Sequence, residues 1–247
     1  MNIQTTDEKS EETFQEEQFS RTILLLGKKS FDKLKSKYIA VFGIGGVGGY
    51  VVEALVRSGV SKITIIDNDT VNITNLNRQI IALESTLDML KVDVVKERIL
   101  AINPNCEVNV YPLFITEENI DEINYDGINY IVDAVDTIVA KIAIIKKAKE
   151  LNIPIISSMG AGNRLDPFQI RVADINQTKN CPLAKTMRYE LKRREIKNVK
   201  CVYSLELPVE LTQKIINPEN NKVVIGSISY MPSMFGLIIA SEIIKEL

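Results

Sequence analysis

Apolar residues fall in short blocks along most of the chain, and the blocks alternate between strand-like and helix-like lengths. Lys37–Phe42 is a compact apolar run of strand length, and Tyr50–Arg57, apolar but for Glu53 and Arg57, follows at helical length. A second strand is predicted at Ile63–Ile66. Leu87–Ile102 then has Leu90, Val94, Val95, Ile99 and Ile102 at helical spacing, and it stops before Asn103-Pro104. Glu107–Pro112 and Tyr130–Asp133 read as the third and fourth strands, with a short acidic connection between them. A helix from about Val139 to Leu151 and a fifth strand at Pro154–Ser158 complete the series. Strands and helices in strict alternation predict an α/β fold with a Rossmann-like, doubly wound, mostly parallel sheet.

The rhythm changes beyond Met159–Asn163. Gln169–Ala173 and Val199–Leu205 read as strands flanking a helix at Pro182–Glu195. A polar loop at Ile216–Lys222 precedes a closing apolar helix, Pro232–Leu247. This is a C-terminal α+β extension. The expected organisation is a flexible segment over 1–18, a Rossmann-like nucleotide-binding domain over 19–160, and a portion over 161–247 continuing the same globule. Residues 1–18 are rich in Glu, Gln, Asp, Ser and Thr. Phe19-Ser20-Arg21 leads into a helical turn, Thr22–Gly27, where Arg21 reads first as a surface cation lying along apolar neighbours.

Between the first strand and helix lies Val41-Phe42-Gly43-Ile44-Gly45-Gly46-Val47-Gly48-Gly49. Gly43, Gly45 and Gly48 have the spacing of a turn that lets backbone N–H groups approach a phosphate chain at a helix N-terminus. Asp67 ends the second strand about 20 residues on, where such folds place the group that reads ribose hydroxyls. Asp69, Asn75, Asn77, Arg78 and Gln79 follow just past that strand's end, in the position where open α/β sheets bind ligands. Arg78 can clamp phosphate oxygens. Lys91 is either a surface lysine or a second phosphate cation. Asp133 and Asp136 stand at the carboxyl end of the fourth strand, and Asp136 can hold Mg²⁺ against phosphates or cap the next helix.

Composition narrows the chemistry. The 247 residues contain no histidine, which removes Ser-His-Asp and Cys-His catalysis, and three scattered cysteines that make no C-x-x-C pair. The net charge is −2, so nucleic-acid binding needs a local basic surface. Lys185, Arg188, Lys192, Arg193, Arg194, Lys197 and Lys200 supply one against only Glu190 and Glu195. That run is either a solvated helix face or a polyanion contact. Cys201 reads as a small buried hydrophobe or, alternatively, as an acyl-accepting thiolate. No apolar segment follows a basic start, so the cytoplasm is expected. Ile228–Ile239 is too short and interrupted to predict a membrane span.

The glycine turn with Asp67-Asn68-Asp69, Thr74-Asn75-Leu76-Asn77-Arg78-Gln79, Lys91 and Asp133–Asp136 resembles the ubiquitin-activating-enzyme superfamily, whose bacterial members include ThiF and MoeB. The resemblance implies ATP on Gly43, Gly45, Gly46, Gly48, Asp67, Asp69, Asn75, Arg78, Gln79 and Lys91, with Asp67 on the ribose. It implies catalysis by Arg78, Lys91 and Asp136, with Mg²⁺ on Asp136. It also implies a homodimer in which Arg21 reaches the partner's site in trans. Sulfur-carrier-activating members usually carry two C-x-x-C zinc pairs, missing here, so no zinc is expected.

Ser158–Gly162, Asp166-Pro167, Cys201–Glu206, Gly226–Ser229 and Pro232-Ser233 resemble the tRNA threonylcarbamoyladenosine dehydratase family. That resemblance implies ATP-dependent adenylation of a threonyl carboxylate beside the tRNA anticodon, then ring closure with loss of AMP. It implies tRNA contacts at Lys185, Arg188, Lys192, Arg193, Arg194 and Lys197. It leaves open a monovalent cation and a cysteine-desulfurase or sulfur-acceptor partner. The alternative function is an adenylyltransferase that activates the C-terminus of a ubiquitin-like sulfur carrier.

Overall fold

The computed structural model of the chain describes residues 17–216 and 223–246. The expected flexible segment lies outside them except for Glu17 and Gln18, as does the polar loop except for Ile216. Seven strands form one sheet: β1 (Tyr38–Phe42), β2 (Lys62–Ile66), β3 (Glu107–Tyr111), β4 (Tyr130–Asp133), β5 (Ile155–Ser158), β6 (Ile170–Asp174) and β7 (Lys200–Ser204). Their order is β3-β2-β1-β4-β5-β7-β6. Every neighbouring pair is parallel except β6 with β7. The α/β, mostly parallel architecture is the one predicted.

All five residues of β1 are buried because the sheet is covered on both faces. Ile39 and Val41 point into one core with the helices α3 (Gly48–Arg57), α4 (Lys91–Ile102) and α7 (Tyr230–Glu246). Ala40 and Phe42 point into the other with α5 (Ile138–Glu150) and α6 (Pro182–Arg193). The period of two along the strand thus assigns helices to sides. β1 lies between β2 and β4, so the chain leaves the strand order in opposite directions there. That switch point opens a crevice beyond the strands' carboxyl ends.

Three local expectations change. α1 (Ser20–Leu26) begins before Thr22. A further helix, α2 (Lys28–Lys35), was not predicted, because its charged octapeptide buries only Phe31 and Leu34. The helix expected from Leu87 starts at Lys91, since Leu87 and Leu90 both have extended ψ angles (141° and 129°). The closing helix is core: Met231, Phe235, Ile239, Ala240 and Ile243 are buried. It crosses α3 at Gly236, where a Cβ would lie 2.4 Å from the Val47 carbonyl oxygen and 2.8 Å from Tyr50 Cβ. Only glycine permits that approach. Among the described residues no helix is long and apolar enough to cross a membrane.

Candidate nucleotide site

The glycine turn is shaped by backbone contacts that exclude side chains. Gly43 has φ +80°, and a Cβ there would sit 2.8 Å from the carbonyl carbon and oxygen of Ala134. A Cβ on Gly48 would fall 1.8 Å from the Gly43 carbonyl oxygen. The turn therefore presses on the segment after β4 while α3 starts directly above it. α3 has no side-chain cap at its N-terminus, so its first N–H groups and the positive end of its dipole are available to an anion.

Asp67 closes the turn from the β2 side. Its carboxylate accepts hydrogen bonds from the Ile44 N–H and the Asp69 N–H, both at 2.9 Å. Burial raises its pKa above the ordinary 3.8, opposed by the Lys91 ammonium and by those two N–H donors. Lys91 begins α4, is 5% exposed, and places Nζ 2.6 Å from Asp69 Oδ2. That burial removes the surface-lysine reading.

Asn75 and Gln79 are buried beside the crevice. Asn75 accepts from the Asn72 N–H at 3.1 Å in a reciprocal capping arrangement. Arg78 is held by the Thr74 carbonyl at 2.8 Å and Asn77 Oδ1 at 3.0 Å, and its Cγ lies 3.6 Å from the position of a Gly46 Cβ. Gln79 Nε2 is 3.5 Å from a Cβ built on Gly45, and Gln79 Oε1 is buried without a hydrogen-bond partner among the described residues. A buried orphan acceptor at a glycine turn calls for an external donor.

Asp136 is exposed and makes no hydrogen bond or ion pair among the described residues. It does not cap α5; the capping position is Thr137, which corrects one of its two readings. No group of three or more acidic, Cys or His side chains able to hold a metal occurs among the described residues. Magnesium on a nucleotide does not need one, because phosphate oxygens and waters complete its shell around one or two carboxylates. The uncapped turn, the orphan Gln79 oxygen, two cations and one free carboxylate fit a Mg²⁺–nucleotide. Arg21 lies exposed on α1 and is joined to none of these residues by a hydrogen bond or ion pair.

Sequence reasoning missed the floor of the crevice. Asp133 and Lys141 form a fully buried ion pair at 3.0 Å beneath the turns after β4 and β5. A lone lysine inside the otherwise apolar run Ile138–Ile145 was the available signal. It also missed how the C-terminal half is tied in. Asn77 Nδ2 donates to the Ser227 carbonyl at 3.1 Å, the Gly226 N–H to Asn163 Oδ1 at 2.7 Å, and Tyr230 Oη to the Leu165 carbonyl at 3.0 Å.

The basic segment divides into two sets. Arg188 is bound to the Thr178 carbonyl at 3.0 Å, Arg193 and Arg194 pair with Glu190 at 3.6 and 2.5 Å, and Lys200 pairs with Glu242 and Glu246. Lys185, Lys192 and Lys197 are exposed with no such partner among the described residues. Cys201 is 0% exposed, and burial pushes its thiol up to about 12, which fits the small-hydrophobe reading and not the thiolate one.

A sequence model of the ThiF family matches residues 19–247. The tRNA threonylcarbamoyladenosine dehydratase of Bacillus subtilis (strain 168) is 41% identical over 239 residues, 93% of this chain and 94% of its own. A crystal structure of the E. coli tRNA N6-threonylcarbamoyladenosine dehydratase with AMP matches with a TM-score of 0.87 and 35% identity, covering 96% of this chain and 95% of that one. The same enzyme with ATP matches with a TM-score of 0.85 and equal identity and coverage.

Proposed function

The chain belongs to the ThiF family, and from that premise we propose that it is an ATP-dependent tRNA threonylcarbamoyladenosine dehydratase. One observation carries this reading: the likeness to an E. coli dehydratase holding ATP extends over 96% of the chain, well beyond the glycine turn that many activities share.

ATP lies with its phosphates over the N-terminus of α3 and its ribose on Asp67. Lys91 and Arg78 neutralise phosphate charge, and Gln79 Oε1 finds its missing donor at the nucleotide. Asp136 would hold Mg²⁺, which when bound would supply further neutralisation of phosphate charge. A threonyl carboxylate oxygen attacks the α-phosphorus, and pyrophosphate leaves as the P–O bond breaks. The carbamoyl group then attacks the activated acyl carbon, and the acyl–oxygen bond breaks to release AMP. The oxygen lost in the dehydration leaves in AMP, so no free water is expelled. No protein nucleophile is needed, and catalysis is positioning plus charge neutralisation.

Residues 161–247 supply the tRNA side, through Lys185, Lys192, Arg193, Arg194 and Lys197, by phosphates rather than base edges. Arg188, bound to Thr178, serves the helix first. The chain works as a homodimer, with Arg21 entering the partner's site. Leu24 and Leu25, 86% and 84% exposed on α1, support an apolar contact there. The place of work is the cytoplasm.

The test uses ATP, Mg²⁺ and tRNA carrying the open modification, its threonyl carboxylate labelled with heavy oxygen. The expected product nucleoside is lighter by one water, and the label appears in AMP. Activation that depends instead on a protein C-terminal Gly-Gly and ignores tRNA would establish the sulfur-carrier alternative.

A further inference from the structure

The Asp133–Lys141 pair has no solvent exposure on either side chain. Lys141 Nζ lies 3.1 and 3.0 Å from the two Asp133 oxygens, 2.6 Å from the Ser158 carbonyl and 3.4 Å from Ser157 Oγ. Asp133 also accepts from Ser157 Oγ and from the Val135 N–H at 3.3 Å. Removing both charges from water is expensive, and well-packed apolar residues of equal volume are often as stable or more so. Filling space does not explain the pair.

Its location does. Asp133 ends β4 and Ser158 ends β5, and the turns that follow these strands are adjacent walls of the crevice. The first turn carries Asp136, and its backbone at Ala134–Val135 occupies the space a Gly43 side chain would need, 2.8 to 2.9 Å away. The second begins at Met159 and contains Asn163, which holds Gly226. One ammonium thus grips the starts of both. Asp136 has no partner of its own among the described residues, so there the backbone of its turn determines where its carboxylate points.

We propose that Lys141, acting through Asp133, is a positioning residue. It fixes Asp136 for the metal–triphosphate and couples that carboxylate to the turn after β5 on the substrate side. This rests on the reading of Asp136 as the metal carboxylate.

The test compares ATP affinity by calorimetry with Mg²⁺ and with chelator, alongside tRNA-dependent AMP release against Mg²⁺ concentration. The charge-free variant Asp133→Leu/Lys141→Met is expected to melt no lower than wild type and to bind metal-free ATP within about twofold of it. Its Mg²⁺ enhancement of ATP binding is expected to fall about 10-fold, the scale of a lost outer-shell partner. Lys141→Arg, with the charge kept, restores most of it. Ser157→Ala, a milder change that leaves the pair intact, weakens the enhancement about threefold and serves if the double variant fails to fold. Undiminished enhancement in these variants, or none in wild type, overturns the proposal. Enhancement that behaves as expected without any tRNA-dependent AMP leaves it standing and removes the dehydratase reading.

Discussion

Lys91 and Asp69 are 2.6 Å apart, yet only the lysine is buried, with 6% of its side chain exposed against 58% for the aspartate. The cation is therefore held at the crevice by a carboxylate that water can solvate on its own. A triphosphate entering the site can share or replace that carboxylate without stranding a buried charge. Lys91→Ala should lower turnover about 100-fold or more, the scale for removing one group that stabilises developing charge. Its stability cost should stay near ~1 kcal/mol, because the abandoned Asp69 is exposed. Thermal melting beside steady-state kinetics checks both; near-normal rates remove Lys91 from the phosphate clamp.

Asp67 gives a pH dependence with a definite sign. Ribose hydroxyls donate to the ionised carboxylate, and burial raises its pKa above 3.8. ATP affinity should be complete above that raised value and decline as pH falls through it, earlier than for an exposed aspartate. The contrast between wild type and Asp67→Asn in ATP binding should shrink on acidification. A contrast undiminished when pH has fallen to the ordinary aspartate value, 3.8, would contradict this, because a group raised above that value is mostly protonated there.

The three unpartnered lysines make a quantitative claim about tRNA. Replacing Lys185, Lys192 and Lys197 by Ala should lower the slope of log affinity against log salt by about 2 in magnitude. Arg188→Ala should instead cost stability through the freed Thr178 carbonyl, with a smaller effect on that slope. Equal slopes for wild type and the triple variant would place the tRNA on another surface.

The buried Cys201 thiol should resist alkylation in the folded protein and react on unfolding, since burial pushes it up to about 12. Cys201→Ala should keep turnover within about twofold at ~1 kcal/mol of stability. Loss of turnover with an intact fold would reinstate an acyl-thiol intermediate.

Strong periodicity made the sheet legible: β1, β2 and β4 are runs with no competing reading, and the glycine spacing fixed the turn between β1 and α3. α2 was hidden because two apolar residues in eight make almost no pattern, although Phe31 stacks at 5.4 Å on Phe19. At the site, residue types singled out Asp67 and Arg78 past the end of β2, whereas Lys91 kept two readings that only its burial separated. Lys141 stayed silent because burial of a charge is a tertiary fact. The split of the basic run into paired and free cations was equally unreadable, for Arg188 meets Thr178 only once α6 has folded back. One of the two readings of Asp136 failed at a single residue, where Thr137 took the capping place.

The crossing at Gly236 has a consequence for how the protein comes into being. A nascent chain exposed only as far as β7 holds the glycine turn and every proposed nucleotide ligand, yet lacks the rod that braces α3 from behind. Until α7 is made, the face of α3 at Val47 and Tyr50 on which Gly236 packs stays uncovered.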